Sequence, residues 1–455
     1  MAELLVRNAR IVYPATRGFV VDRGWLLARD GVIAGLAAGD VPVDVGWSVA
    51  GRQEIDAAGM TLLPGLLNTH MHLYSMYSRG ISTGRVSHGF LDVLQDLWWR
   101  LDRSLLKDAC WMSATFSGMD SLRCGTTTIV DHHASPSYIA GSLSTLSEAL
   151  NKIGLRHVLS YEITDRNGIE GAVAGVDENI RFFDEVKGKG GLASSMVGLH
   201  ASFTVSDATL AILRARVGSR KVGYHVHVAE GAIDEEDSVE KYGKRIVARL
   251  DNAGLLSPRS IAVHCVGIDA SERELLAKSG TPVVVNTMSN MNNAVGLPAV
   301  REMLEAGIQV GIGTDGYTAN MFEEFRNTLV GLRHRYEDPA GFWTQVQQAQ
   351  IETNADIVSR CTGCTVGRLE EGAAADFILV DYASPTPLNS ENAFGHMFFG
   401  MSADLVDTVV VNGNVAVKGH RVLAVDREDL ERESRKVAEA VWEAFDRLSW
   451  FPTGV

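Results

Sequence analysis

Short apolar stretches alternate with longer amphipathic segments through the middle of the chain. The amphipathic segments, such as SDATLAILRARVG (206–218), space their apolar residues about 3.6 positions apart and therefore predict helices. Strands that alternate with helices in this way are typical of a parallel sheet covered by helices. The apolar stretches number eight: LLPGLLNTHMH (62–72), GTTTIVDH (125–132), LRHVLSYEI (155–163), SMVGLHASF (195–203), GYHVHVAE (223–230), SIAVHCVG (260–267), PVVVNTMS (282–289) and QVGIGTDG (309–316). Since eight such strands close a TIM-type barrel, the pattern predicts an α/β protein built on a (β/α)8 barrel.

The two ends of the chain carry a different pattern. Residues 1–60 and 368–422 contain short alternating runs with turn signals, including the Asn-Gly turn of DTVVVNGNVAVKGHRV. Neither end is long enough to form a sandwich alone, so we predict that both termini share one small β-sandwich domain. The predicted division is residues 1–60 and 368–455 for this domain, with a terminal amphipathic helix, and residues 61–367 for the barrel.

Composition and charge limit the classes of partner. Hydrophobic residues make up 46% of the chain, but none of its apolar runs is long enough to cross a bilayer, which favours a soluble globular protein. The first apolar run contains Glu3 and Arg7, unlike a signal peptide, so we expect a cytoplasmic protein. The formal net charge of −14 opposes binding to nucleic acid or to an anionic membrane.

The cysteines do not predict a disulfide framework or a zinc knuckle. There are five in 455 residues, an odd and sparse set that suits reduced thiols. Cys361 and Cys364 form a CxxC pair, but neither a second pair nor a neighbouring histidine pair completes a zinc site. We interpret this pair as a chance match.

Ionisable side chains fall at the ends of the predicted strands. His70 and His72 end the first run, His227 lies near the end of the fifth, and Asp315 lies near the end of the eighth. The carboxyl ends of barrel strands meet at one mouth, and residues i and i+2 of a strand point to the same side. Three imidazoles and one carboxylate suit Zn²⁺, and also Fe²⁺ or Mn²⁺. Such an ion lowers the pKa of bound water from about 15.7 to about 7.

Three further residues complete the predicted reaction centre. Glu230 lies three residues beyond His227 and is placed to move protons without binding the ion. His264 ends the sixth run, where it is expected to orient water and to stabilise an oxyanion. Asp315 is counted both as a metal ligand and as a catalytic residue. A helix-capping or solvated glutamate is the structural alternative for Glu230, and a core histidine is the alternative for His264.

The remaining strand histidines are expected to play supporting roles. His225 shares a strand face with His227 but lies one layer deeper, so we expect it to pack or to hydrogen-bond behind the ligands. His132 and His133 are expected to form hydrogen bonds near the site, with substrate contact as the alternative. His200, late in the fourth run, is a candidate substrate contact.

Other motifs carry less weight. GIGTDG (311–316) matches a dinucleotide fingerprint, but the segment beyond it is charged and breaks at Pro339, so the match is attributed to chance. The chain lacks HExxH, GxSxG and the HxE with PCxxC signature of cytidine-type deaminases. Trp98 and Trp99 are expected either to form a lid or to pack between helices.

Taken in chain order, the HxH, the HxxE, the sixth-strand His and the eighth-strand Asp resemble the amidohydrolase superfamily. The resemblance spans nearly the whole chain, from PGLLNTHMH to ADFILVDY and VVVNGNVAVKG. HASFTVS, HVHVAE, VHCVGID, SNMNNAVG and GTDG resemble the branch that contains guanine, adenosine-analogue and triazine hydrolases. The longer blocks LWWRLD, DHHASPSYIAGSLSTL, ITDRN, NMFEE and DYASPTPL resemble the SsnA family of aminohydrolases.

The resemblance implies one catalytic divalent ion, zinc first and iron as the alternative, and a homodimer. Relatives with two ions often use a carboxylated lysine on the fourth strand, where SMVGLHASF has His200 and no lysine. The site residues that it implies are His70, His72, His227 and Asp315 for the ion, Glu230 and His264 at the reaction centre, and His200 for substrate.

These features lead to a functional prediction. We predict hydrolytic deamination of an amino-substituted nitrogen heterocycle, purine-like or related, by metal-activated water with release of ammonia. The alternatives are opening of a cyclic amide or displacement of halide from a heteroaromatic ring, and, more remotely, a non-catalytic scaffold. The partner is a small heterocyclic molecule, and its contacts in the loops are unranked among Arg79, His88, Tyr317 and Asn320.

Overall fold

Two nine-stranded sheets organise the computed structural model, which describes residues 2–14, 19–42, 45 and 51–449. The first sheet is mostly antiparallel and combines both ends of the chain. Its strands are β1 (Glu3–Pro14), β2 (Phe19–Arg29), β3 (Val32–Ala38), β4 (Gln53–Asp56), β5 (Thr61–Pro64), β15 (Phe377–Val380), β16 (Val406–Val411), β17 (Asn414–Lys418) and β18 (Arg421–Val422). The second is parallel and contains β6 (Leu66–Met71), β7 (Thr126–His133), β8 (Arg156–Ile163), β9 (Ala193–Ser195), β10 (Val197–Ala201), β11 (Tyr224–Val228), β12 (Ile261–His264), β13 (Val283–Val285) and β14 (Val310–Ile312).

The parallel sheet is a barrel. Its strands pair in the order β6, β7, β8, β10, β11, β12, β13 and β14, and short β9 pairs with β8. The ends meet through a bridge between Met71 and Asp315, where the amides of Thr314 and Asp315 donate to the carbonyl of His70 at 2.9 and 3.0 Å. This closure confirms the predicted TIM-type barrel. Because it lies at the carboxyl ends of the strands, it also sets the first strand's histidines beside Asp315.

The first predicted strand is in fact two strands in different sheets. Residues 62–72 form a single apolar run, but β5 pairs antiparallel with β15 in the terminal sheet and β6 belongs to the barrel. The chain changes sheet at Pro64 and Gly65. Proline lacks an amide donor for a ladder, and a Cβ on Gly65 would lie 2.1 Å from Oγ1 of Thr127. Apolar periodicity does not detect this break, since both pieces are buried.

Helices lie between the barrel strands and continue after the last of them. They are α1 (Phe90–Val93), α2 (Trp99–Leu101), α3 (Lys107–Arg123), α4 (Ser142–Ile153), α5 (Gly168–Val186), α6 (Asp207–Val217), α7 (Ala232–Tyr242), α8 (Ile246–Asn252), α9 (Ala270–Ser279), α10 (Thr287–Asn292), α11 (Val300–Glu305), α12 (Met321–Tyr336), α13 (Trp343–Gln348), α14 (Asn354–Thr362), α15 (Ala393–Phe399) and α16 (Arg427–Arg447). Two π-helical turns, Leu94–Trp98 and Ala349–Thr353, extend helices, and 3₁₀ turns cover Leu73–Ser78, Asp102–Ser104, Asp165–Asn167, Ser202–Thr204 and Ala403–Leu405. Among these described helices, none combines the length and the apolar composition needed to cross a membrane.

The terminal helix α16 packs against the barrel's first loops. Trp442 donates from Nε1 to the carbonyl of Tyr77 at 2.8 Å. The guanidinium of Arg100 lies 3.9 Å from the ring centroid of Phe445, and its Nη2 donates to the carbonyl of the same residue. The helix therefore supports the segment of residues 90–104, which follows the first barrel strand and reaches the mouth of the barrel.

Candidate active site

The four predicted metal ligands converge at the carboxyl end of the barrel. Nε2 of His70 lies 3.6 Å from Oδ1 of Asp315, and Nε2 of His72 lies 3.2 Å from the same oxygen. The ring of His227, from β11, stacks on that of His72 with centroids 5.4 Å apart and lies 5.1 Å from that of His70. Possible ligand atoms of His70, His72 and Asp315 all lie within 4.8 Å of one another. Residues far apart in sequence thus form one cluster.

Hydrogen bonds behind the cluster orient its imidazoles. His72 donates from Nδ1 to the carbonyl of His132 at 2.6 Å, and His227 donates from Nδ1 to the carbonyl of His200 at 2.9 Å. Nδ1 of His70 shares a hydrogen bond of 2.8 Å with Nε2 of His225. These bonds leave each Nε2 available as a ligand atom, which is how metal-binding histidines are usually held.

The donor set fits a divalent ion. Nε2 of His70 is buried and has no hydrogen-bond partner among the described residues. Buried polar atoms without partners are rare, so this nitrogen indicates a binding partner that is not a protein group. Burial lowers the pKa of His70 to about 3 and that of His227 well below its usual value, so both rings are neutral and offer a lone pair. Nitrogen and carboxylate ligands of this kind suit zinc or iron.

Asp315 carries the negative charge of the cluster. Burial alone would raise its pKa, but the neighbouring imidazoles of His70 and His72 hold that pKa well below its usual range. For His72, burial alone would lower the pKa, yet the hydrogen bond and charge of Asp315 raise it to about 9. The carboxylate therefore draws positive charge to this point of the cavity, either a proton or a cation.

Glu230 and His264 lie next to the cluster. Oε2 of Glu230 is 3.4 Å from Nε2 of His264, which is 3.7 Å from Oδ2 of Asp315. Burial raises the pKa of Glu230 above its usual value. A carboxyl group that retains a proton nearer to neutral pH is suited to proton transfer. The structure thus brings both predicted reaction-centre residues to the same point.

Left-handed backbone conformations mark three of the strand ends at the site. The φ angles are 47° at Ala229, 69° at His264 and 56° at Asp315. Residues other than glycine seldom adopt this conformation, which costs free energy and is concentrated at functional sites. At these positions the chain leaves the strand, and the neighbouring side chain of Glu230 enters the cavity.

A short helix that follows the seventh barrel strand, β13, supports the reaction centre. Helix α10 and the residue after it form a hydrogen bond to each of three site residues. The bonds are from Ser289 Oγ to Asp315 Oδ2 at 2.7 Å, from His264 Nδ1 to Asn290 Oδ1 at 2.7 Å, and from Asn293 Nδ2 to Glu230 Oε1 at 3.3 Å. Sequence reasoning missed these roles, because SNMNNAVG was noted only as a family motif.

The supporting histidines occupy different layers. His200 lines the cavity, and its Nδ1 lies 2.6 Å from Oγ1 of Thr204, while His225 lies behind His70. Nε2 of His132 contacts the carbonyl of Leu199 at 3.1 Å. His133 is bonded to Ser135 and Cys110, and it is not among the described residues that line the cavity.

Above the cluster is a cavity that is partly open to solvent. Its aromatic wall comes from Tyr74, Phe90, Trp98, Trp99 and Phe203. The two tryptophans, predicted as a lid or as packing, therefore face the space above the cluster.

Sequence reasoning also missed four charged residues of this cavity, Asp102, Glu162, Arg166 and Asp234. Glu162 could have been found, since it lies near the end of the third apolar run, where the strand-end rule applies. Of the four loop contacts considered, Tyr317 lines the cavity. Arg79 instead pairs with Asp120, His88 is exposed, and Asn320 caps α12.

Comparison with known proteins agrees with this architecture. The chain is 30% identical to a 5'-deoxyadenosine deaminase of Methanopyrus kandleri, over 83% of this chain and 86% of that protein. It is also 30% identical to a 5-methylthioadenosine/S-adenosylhomocysteine deaminase of Desulforudis audaxviator, over 97% of this chain and 99% of that protein.

A solved structure and a family profile extend the comparison. An adenosine deaminase from Xanthomonas campestris, solved with bound zinc, superposes with a TM-score of 0.84 at 22% identity and covers 96% of this chain and 98% of that one. This likeness concerns the fold. The sequence profile of the Amidohydrolase family matches residues 61–416, which span the whole barrel and much of the returning sheet. The chain therefore belongs to the amidohydrolase family.

Proposed function

We propose that this protein is a metal-dependent aminohydrolase that removes the exocyclic amine of a purine-like heterocycle as ammonia. The observation that carries the proposal is the contact of Glu230 and His264 with the cluster of His70, His72, His227 and Asp315. Relatives named as deaminases of 5'-deoxyadenosine and 5-methylthioadenosine support the purine-like substrate.

The cluster would hold one divalent ion, with zinc as our first choice and iron as the alternative. When bound, such an ion supplies a water molecule whose pKa is near 7, and hence a nucleophile at neutral pH. The fourth barrel strand, β10, carries His200 and no lysine, which supports a single ion.

Glu230 would carry the proton during the reaction. It would take a proton from water and pass it to a ring nitrogen as the water oxygen adds to the amine-bearing carbon. The remaining hydroxyl proton would pass to the amine, which leaves as ammonia and yields a ring carbonyl. Asn293 holds one carboxyl oxygen, so the other faces His264. His264, held through Nδ1 by Asn290, directs Nε2 toward the place where negative charge develops on oxygen.

The cavity would hold the ring of the substrate. The aromatic wall suits the faces of a flat heterocycle, and His200 is the proposed polar contact of the ring. We further propose that the chain is an SsnA-like member of the family, as its sequence motifs indicate, and that it forms a homodimer, as that resemblance implies.

Release of ammonia tests the proposal. Zinc-loaded and iron-loaded protein would be assayed on aminopurines, aminopyrimidines, a lactam and a chlorotriazine. We expect ammonia from an aminopurine, and Glu230→Gln should lower kcat by about 100-fold to 10,000-fold while the bound metal stays. Glu236→Gln, an exposed glutamate of α7, should have no effect. Turnover of only the lactam or the chlorotriazine, or an unchanged kcat in Glu230→Gln, would refute the assignment.

A further inference from the structure

Three charged side chains form one buried unit in the wall of the cavity. Nη1 of Arg166 lies 3.1 Å from Oδ2 of Asp102, and Nη2 of Arg166 lies 2.6 Å from Oε1 of Glu162. Each of the three side chains is at most 4% exposed. We call Asp102, Glu162 and Arg166 the charged wall. It lines the same cavity as His72, Glu230 and Asp315.

The cation of the charged wall is already engaged. Both terminal nitrogens of Arg166 contact a carboxylate, and its Nε donates to Oγ1 of Thr164 at 3.1 Å. The guanidinium also lies 4.8 Å from the ring centroid of Trp99. Arg166 is the one arginine or lysine among the described residues that line the cavity. An incoming anion would therefore meet no unengaged cation there.

The two buried carboxyl groups of the charged wall share one guanidinium. For Glu162, burial alone would raise the pKa, but His200, His132 and Arg166 lower it, whereas burial raises the pKa of Asp102 to about 7. Asp102 is 1% exposed, and its Oδ1 has no hydrogen-bond partner within the described part of the chain. Leaving a buried acceptor unpaired is costly, so this oxygen indicates a donor that the protein does not supply.

We propose that the charged wall binds a hydrogen-bond donor, a hydroxyl or an ammonium group, on the substituent of the heterocycle and that it excludes a carboxylate or phosphate. The inference rests on the proposed aminohydrolase function for the ring itself. A donor satisfies Oδ1 of Asp102, whereas an anion adds negative charge beside two buried carboxyl groups that share one guanidinium.

A purely structural role is the competing explanation. Arg166 joins the 3₁₀ turn Asp102–Ser104 to the end of β8, so the ion pairs also hold the mouth of the barrel together. Such a clamp predicts a loss of stability on substitution but no change in selectivity. Measurements with matched ligands therefore separate the two roles.

The test uses adenines that differ only at N9: ethyl, 2-hydroxyethyl, 2-aminoethyl and carboxymethyl. Ammonia release gives kcat and KM, and calorimetry with the matching hypoxanthines gives binding without turnover. In the wild type, we expect the hydroxyethyl and aminoethyl compounds to bind at least about tenfold more tightly than ethyl, and carboxymethyl at least about tenfold more weakly. The two donor compounds distinguish a preference for a neutral hydroxyl from one for a cation.

Asp102→Asn should change selectivity rather than chemistry. We expect KM for the aminoethyl compound to rise about tenfold and KM for the carboxymethyl compound to fall. Asp108→Asn, an exposed acid of α3, is the control. If Asp102→Asn fails to fold, Glu162→Gln removes the other carboxylate and should shift the same ratio.

The outcomes separate this inference from the proposed function. An unchanged ratio of carboxymethyl to aminoethyl binding in a folded variant overturns the charged wall as a selectivity element. Equal binding of all four compounds by the wild type, or binding of none, overturns it as well. Binding in the expected order without ammonia release refutes the deaminase function and leaves the charged wall supported.

Discussion

At the scale of single residues, Asp315 connects the parts of the site. Its two carboxylate oxygens lie near His70, His72 and His264, and Ser289 donates a hydrogen bond to it. Its negative charge favours the binding of a cation, because the attraction between the two offsets the free-energy cost of burying that cation. The left-handed φ of 56° at this residue shows that the backbone accepts strain to place it.

Asp315→Asn should weaken metal binding. The substitution keeps the shape of the side chain but removes its charge, so we expect a loss of affinity of about 100-fold or more. Elemental analysis of dialysed protein measures the metal content. Ser289→Ala removes one hydrogen bond from the same carboxylate and leaves its charge, so it should retain the metal. Full metal content in Asp315→Asn would contradict the ligand assignment.

Glu324 gives a prediction about pH. This buried acid of α12 accepts from the amide of Met288 through Oε1, and burial raises its pKa from 4.5 to about 8. At pH values between about 4.5 and about 8, Glu324 keeps its proton in the folded protein and loses it in the unfolded chain. The free energy of unfolding therefore falls with rising pH in this window, by about 1.4 kcal/mol per pH unit from this group.

Glu324→Gln should remove that contribution. Relative to wild type, the variant should gain stability as pH rises from about 5 to about 8, which urea unfolding at several pH values measures. The exposed neighbour substitution Glu323→Gln should follow the wild type. A difference between Glu324→Gln and wild type that does not vary with pH would refute a protonated Glu324.

At the scale of elements, α10 acts on the whole reaction centre. It follows β13 directly, and the helix together with Asn293 after it bonds to residues from three other strand ends. Asn290 is fully buried, and its Oδ1 fixes which nitrogen of His264 faces the cavity. The helix thus determines the tautomer and direction of a side chain that it does not itself carry.

Asn290→Ala should lower kcat by about tenfold to a hundredfold, the range seen when an outer hydrogen-bond partner of a site residue is removed. Steady-state kinetics on the best aminopurine gives the effect, and KM should change less than kcat. Met291→Ala replaces a neighbour that is 44% exposed, and it should behave as wild type. Equal kcat in both variants would show that α10 does not position His264.

Elements and ligands differ in how well the sequence predicts them. Periodicity located the barrel strands, and the strand-end rule brought His70, His227 and Asp315 to one mouth, where the structure has them. The local pattern did not predict the change of sheet at Pro64 and Gly65. The apolar run 62–72 contributes strands to both sheets, and only the pairing with distant strands distinguishes them. The local pattern also gave no role to Asp102 and Arg166, since a charged residue outside the strands looks the same in sequence whether it is solvated or buried.

At the scale of the whole molecule, a buried ion pair joins the terminal sheet to the barrel. Nε of Arg156, at the start of β8, lies 2.7 Å from Oδ2 of Asp376, next to β15. Asp376 also accepts from the amide of Asn412 at 2.6 Å. The predicted composite β domain is thus fixed to the bottom of the barrel. We propose that this domain comprises residues 1–60 and 368–455 and that the barrel comprises residues 61–367.

Asp376→Ala should destabilise the protein by about 3–5 kcal/mol, because it leaves the guanidinium of Arg156 buried without its partner. Thermal unfolding should show a clear fall in Tm. Asp184→Ala breaks an exposed pair with Arg220 and should have a much smaller effect. A Tm for Asp376→Ala equal to that of Asp184→Ala would show that this pair does not join the two sheets.

The central claim is that distant parts of one chain bind a single divalent ion beside Glu230. Anomalous diffraction at the zinc absorption edge, on crystals of zinc-loaded protein, tests it most directly. We predict one peak, about 2.0–2.2 Å from His70, His72, His227 and Asp315. A peak instead at Glu162, His200 and His227, which also lie within 4.8 Å of one another, or no peak in the cavity, would contradict it.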